Sequence, residues 1–169
     1  MFASGGATND QGILEVRVKD HREAIGDFSR FTIKLAAIGI SSATGLAFWR
    51  TGWRALTPSL RSIDLTQYTG KQSVAVFTGM VDTGSFDAVR LDIAAIDAVL
   101  KKGGGPASIK NSLMPIKLSF SIEPQQKTVI VLDLVVLDMS DHPPRGYELG
   151  IKGYELYRNG KLIDRVPPA

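Results

Sequence analysis

Hydrophobic and polar residues alternate along most of this chain. In residues 13–19, Leu14, Val16 and Val18 fall on one face and Glu15, Arg17 and Lys19 on the other. A period of two marks a half-buried strand, because successive side chains point to opposite faces. The same alternation runs through residues 116–122, where Lys117, Ser119 and Ser121 separate Ile116, Leu118, Phe120 and Ile122. Residues 129–139 are nearly continuous in apolar side chains, broken by Asp133 and Asp138. That run predicts a central strand buried on both faces for part of its length.

One pattern occurs twice. Phe31-Thr32-Ile33-Lys34-Leu35-Ala36-Ala37-Ile38-Gly39 returns 58 residues later as Val89-Arg90-Leu91-Asp92-Ile93-Ala94-Ala95-Ile96-Asp97. Each copy alternates, reaches an Ala-Ala pair and changes phase. A phase change at two small residues predicts a β-bulge or a crossing between sheets, and the repeat predicts two related halves facing each other. A helix over residues 88–102 is the rival, with Leu91, Ala94, Ala95, Ala98 and Val99 as its stripe. The strand is preferred because charged Arg90 and Asp92 alternate with Val89, Leu91 and Ile93, and because the first copy holds β-branched Thr32, Ile33 and Ile38.

Further strands are expected over residues 46–50, 62–68, 74–81, 147–157 and 161–166, with one helical turn between residues 20 and 27. Asn159-Gly160 joins the last two as a hairpin. About eight to ten short strands and no helix of three turns describe an all-β domain, a two-sheet sandwich with a C-terminal hairpin. At 169 residues one domain is expected: residues 1–12 as a flexible N-terminal tail, residues 13–169 as a single sandwich.

Composition narrows the function classes. There are no cysteines, which excludes disulfides, thiolate metal sites and cysteine nucleophiles. The net charge is +3, and the densest basic group, Arg50, Arg54 and Arg61, makes no continuous basic face, so nucleic acid is not an expected partner. No apolar run approaches the ~18 residues of a membrane span. No signal peptide begins at Met1; the small polar opening segment is expected to be the remnant left once an export signal has been removed, with a cytosolic start and a flexible tail as the alternative.

Several features come in a recognisable order. They are the strand ending at Asp20, Gly26-Asp27-Phe28 leading into residues 31–40, Asp64-Leu65, Gly84-Ser85-Phe86-Asp87-Ala88-Val89-Arg90-Leu91, and Lys127-Thr128-Val129-Ile130-Val131-Leu132-Asp133-Leu134. Together they resemble DUF4382, a prokaryotic family of exported, often lipid-anchored domains of unknown function, over residues 13–151. The resemblance implies an immunoglobulin- or transthyretin-like sandwich, an extracytoplasmic setting in the periplasm or at the cell surface, and no established activity. The chain departs from it in lacking a lipid-attachment cysteine and in its Tyr- and Gly-rich end, residues 146–168.

Two groups of residues are candidates for a site. Both histidines follow aspartate, as Asp20-His21 and Asp141-His142, each just beyond a strand. With Asp138 they offer imidazole and carboxylate ligands to a divalent metal, provided the two strands point the same way. The bland reading is that both aspartates cap turns. Phe48, Trp49 and Trp53, with Arg50 and Arg54, form the densest aromatic-basic patch, suited to sugar rings or a protein partner, or else to closing one end of the core. Gly-Tyr-Glu-Leu at 146–149 and 153–156 sets Tyr147 and Tyr154 seven apart, on opposite faces unless a glycine bulges the strand.

No Gly-x-Ser-x-Gly, phosphate loop or His-Glu-x-x-His motif occurs. The expectation is therefore a non-enzymatic envelope or surface module that contacts protein or polysaccharide, with no cofactor. It includes the option of a homo-oligomer through an edge strand. A metal-binding protein is the alternative.

Overall fold

A computed structural model describes residues 10–42, 52–139 and 146–168. Among these residues the strands are β1 (Gln11–Asp20), β2 (Phe28–Ser42), β3 (Trp53–Leu56), β4 (Ser62–Asp64), β5 (Val74–Asp82), β6 (Gly84–Leu100), β7 (Pro106–Ala107), β8 (Ile109–Asn111), β9 (Ile116–Ile122), β10 (Lys127–Asp138), β11 (Tyr147–Arg158) and β12 (Lys161–Val166). The first sheet runs β12-β11-β10-β1-β5, with β8 beside β11. The second runs β3-β2-β6-β7, with β4 beside β2 and β9 beside β6. The chain is an all-β, two-sheet sandwich.

Alternation produces the sandwich directly. On β1 the buried positions are Gly12, Leu14, Val16, Val18 and Asp20, with the residues between them partly exposed. Leu14, Val16 and Val18 meet Phe31, Ile33, Ile38, Ile40, Phe86 and Val89 of the second sheet in one hydrophobic cluster. Each fully buried Leu, Ile or Phe stabilises the fold by roughly 1.5–3 kcal/mol before entropy is charged against it. β10 lies in the interior of its sheet and buries Val131 and Val135 on the outer face as well as Ile130, Leu132, Leu134 and Val136 on the inner one. Its unbroken apolar run is accounted for by that double burial.

The two copies of the repeat do not face each other across the sandwich. β2 and β6 are antiparallel neighbours in one sheet, over a register from Phe28↔Leu100 to Ser42↔Phe86. Their phase changes coincide. Lys34 pairs with Ala95, Leu35 with Ile93 and Ala37 with Asp92, so Ala94 and Ala36 are each left out of the ladder, one per strand. Two adjacent bulges turn both strands together and keep each apolar set inward on either side. Arg61 serves this bend: its Nη1 donates to the carbonyls of Leu35 at 3.5 Å and Ala36 at 3.3 Å.

Some boundaries differ from expectation. β1 begins at Gln11, inside the expected tail; residues 1–9 lie outside the described part. The expected strand at 46–50 also lies outside it. The extended piece at 62–68 stops at Asp64, whose Oδ1 accepts from the Phe31 N–H, the Thr66 N–H and the Thr66 hydroxyl. That cap starts a 3-10 turn over Leu65–Gln67. β3, β7 and β8 span four, two and three residues, too short to show a period of two. The expected helical turn appears as Ala24–Asp27.

Candidate functional site

Alternation separates the Asp20-His21 pair. Asp20, the last inward position of β1, is fully buried, while His21 points outward with 40% of its side chain exposed. Asp20 Oδ2 accepts from the Arg22 N–H at 2.7 Å, so the carboxylate caps the turn that follows β1. Its Oδ1 is buried without a partner among the described residues. Burial pushes the Asp20 carboxyl up to about 6; the Arg22 N–H opposes the shift and the nearby Asp133 charge adds to it.

Asp133 stands on the outer face of β10. Its neighbours in register are Lys19 on β1 and Gly153 on β11. His21 Nδ1 donates to Asp133 Oδ2 at 2.9 Å, which places the neutral ring's proton on Nδ1. Asp133 Oδ1 is buried, and among the described residues no group bonds it. Lys19 reaches across β10 to Glu155 on β11, at 3.4 Å.

These side chains floor a cleft of about 340 Å³. One wall is Gly70 and Lys71; the other is the C-terminal run from Arg165 to Pro168. That run is held over the sheet by Gly153. A Cβ there would strike the Val166 carbonyl oxygen and come within 2.7 Å of its carbon and 2.9 Å of Pro167 Cδ. Only glycine lets the chain cross at this point.

Of the expected metal set, Asp20, His21 and Asp138 are described, and these three do not converge. Among the described residues no three His, Asp or Glu side chains are arranged to hold a metal ion. Asp138 pairs with Tyr147 four positions beyond Leu134, about 13 Å further along the strand. β1 and β10 do run parallel, so the required common direction is met, but Asp141 and His142 lie outside the described residues.

The aromatic-basic patch is divided as well. Phe48, Trp49 and Arg50 lie outside the described residues. Trp53 and Arg54 are adjacent on β3 and point to opposite faces. Trp53 lies on the outer face over Gly39, with the Arg90 guanidinium 4.3 Å from its ring centroid. Arg54 instead shares the inward side of Leu56 at the sandwich edge and reaches Asp82 of β5 at 3.8 Å.

The tyrosine spacing has a physical resolution. Asp133 pairs with Gly153 and Leu134 with Ile151, so Lys152 bulges out. Tyr147, Leu149 and Ile151 therefore pack on the same core as Tyr154 and Leu156. Tyr154 donates to Asp164 at 2.7 Å, and Tyr147 donates to Asp27 at 2.9 Å while packing on Phe28 of the other sheet.

The family model for DUF4382, a domain of unknown function, matches residues 11–149. The chain belongs to this family. No curated protein matches the sequence. A crystal structure from Bacteroides eggerthii DSM 20697, provisionally described as a cell adhesion protein, overlaps 90% of this chain and 56% of its own, with 13% identity and a TM-score of 0.35.

The DUF4382 match divides the cleft. Lys19, His21, Lys71 and Asp133 fall within it, whereas Gly153, Glu155, Arg165 and Pro167 lie past its last residue. The DUF4382 core thus supplies the floor's inner half and one wall, and the C-terminal extension supplies the rest. Of this set, the sequence singled out His21 and Asp133, and Gly153 as one of two glycines able to bulge the strand. Nothing local distinguishes Lys71 or Arg165 from any surface cation, and nothing near Gly153 announces the crossing above it.

Proposed function

We propose that this DUF4382 domain is a non-catalytic, extracytoplasmic contact module that holds a polysaccharide of the cell envelope in the cleft above Asp133. The observation behind this reading is the Asp133 carboxylate, 17% exposed, at the floor of a cleft lined by charged side chains and two prolines. Its Oδ2 accepts one bond from His21 and, as a carboxylate oxygen, can accept a second. A ligand hydroxyl supplies that second donor, and hydroxyls are what a polysaccharide presents in quantity. Pro167 and Pro168 add a rigid apolar wall of the kind that packs on the C–H face of a sugar ring. Export is what the family resemblance implies, and no helix among the described residues is long and apolar enough to cross a membrane.

A protein partner added to the sheet edge has less support. β12 exposes Leu162, Ile163 and Val166. However, Ile163 drops out of the ladder between Leu162 and Asp164, and Asp164 turns toward Tyr154. A bulge and an inward charge are devices that blunt an edge against pairing.

Affinity electrophoresis in gels containing isolated envelope polysaccharide tests the proposal. The wild-type chain is expected to be retarded, and a chain lacking residues 167–169 to run freely while keeping its far-UV spectrum. Equal mobility of the wild type with and without every polysaccharide preparation would overturn it.

A further inference from the structure

We infer that the cleft selects an acidic sugar, a uronic-acid unit whose carboxylate sits between Lys71 and Arg165. This rests on reading the cleft as a polysaccharide site and goes further by naming the charge of the ligand. On the floor the lysine has its partner: Lys19 is paired with Glu155, while His21 hydrogen-bonds Asp133. The cations of the walls have none. Lys71 and Arg165 are exposed on opposite sides of the same cleft, and among the described residues neither lies within ion-pair distance of a carboxylate. Two cations facing one small space repel each other until an anion comes between them. A carboxylate can accept from both, and the arginine fork matches its geometry.

The remaining groups restrict what the anion is attached to. A bare carboxylate brings Asp133 no donor and leaves the proline wall uncovered. A neutral sugar brings the donor but leaves both cations unused. A uronic acid does all three: its hydroxyl donates to the exposed side of the Asp133 carboxylate, its ring C–H face lies on Pro167 and Pro168, and its carboxylate meets Lys71 and Arg165. A volume of about 340 Å³ is at the small end of ligand sites, which run from roughly 300 to 1,000 Å³, and suits one sugar unit. Arg165 and both prolines lie past residue 149, where the family match ends. The preference for acid is accordingly assigned to this chain's own C-terminal extension.

Nitrogen-15 NMR titration of the full chain with sodium glucuronate, glucose and sodium acetate separates the outcomes. Glucuronate is expected to shift the amides of Lys71, Asp133, Gly153 and Arg165 in a saturable way. Glucose and acetate should bind at least about tenfold more weakly, as expected when charge-assisted bonds or hydroxyl contacts are missing. Changing both Lys71 and Arg165 to Ala should weaken glucuronate by about tenfold or more and leave glucose unchanged. Both positions are exposed, and the variant's unperturbed amide spectrum verifies its fold. Glucose binding the cleft as tightly as glucuronate would overturn the acidic selection while leaving the polysaccharide site standing. Acetate matching glucuronate would overturn the sugar. No shift at these amides with either sugar would overturn both readings.

Discussion

Gly153 lies directly beneath Val166, so close that a Cβ on the glycine would overlap the valine's carbonyl group. The contact pins the last residues of the chain onto the outer face of the first sheet, beside Asp133. Replacing Gly153 by Ala forces the crossing segment up or the strand down. Overpacking of this kind costs about 1–3 kcal/mol. The Gly153→Ala chain is expected to show a lower urea midpoint and to lose retardation in polysaccharide gels. A midpoint equal to wild type would show that the crossing is not held at this point.

Asp20 makes stability depend on pH. In the fold its carboxyl keeps its proton up to about pH 6, against a free value of 3.8. The native state therefore binds more protons than the unfolded state between those values, and stability falls as pH rises through that window. The full difference is on the order of 2–3 kcal/mol, since a tenfold change in proton affinity corresponds to about 1.4 kcal/mol. Asn at position 20 keeps an acceptor for the Arg22 N–H and carries no charge. Asp20→Asn is expected to match wild type near pH 4 and to exceed it at pH 7.5 by about 2 kcal/mol in urea unfolding. A gap that is the same at both pH values would contradict the assignment.

The twin bulges predict an unusual tolerance. Removing Ala36 deletes the residue that β2 leaves out of the ladder, so Phe31, Ile33 and Leu35 and also Ile38 and Ile40 stay inward. Removing Lys34 also takes out one residue between Ile33 and Ile38, but it puts Ala36 in the inward place of Leu35 and turns Leu35 toward solvent. The chain without Ala36 is expected to fold, with a loss of about 1–3 kcal/mol. The chain without Lys34 should lose about 2–5 kcal/mol more in urea unfolding, as for a core Leu replaced by Ala. Equal behaviour of the two deletions would refute the bulge assignment.

What the sequence made legible was what a period of two encodes. β1, β9 and β10 follow from alternation or from an apolar run, and the seven-residue tyrosine spacing signalled a bulge at Gly150 or Gly153, which the register places between them, at Lys152. The alternation of β1 also implied that Asp20 and His21 diverge, which limits their use as joint metal ligands. The partnership of the repeats was not legible, because pairing within a sheet and facing across it leave the same pattern on each strand. The cleft was not legible either. It needs the register that sets Asp133 beside Gly153 and a crossing that brings Pro167 back over that glycine. Both relations join distant positions, and neither changes any local pattern.

The central claim is that the C-terminal crossing and the Asp133 floor form one binding surface. Hydrogen exchange with and without envelope polysaccharide tests it most directly. Protection is expected to rise at His21, Lys71, Arg165 and Val166 and to stay unchanged around Trp53 and Arg90 on the opposite sheet. Protection that rises around Trp53 and leaves the Arg165–Val166 amides unaltered would contradict it.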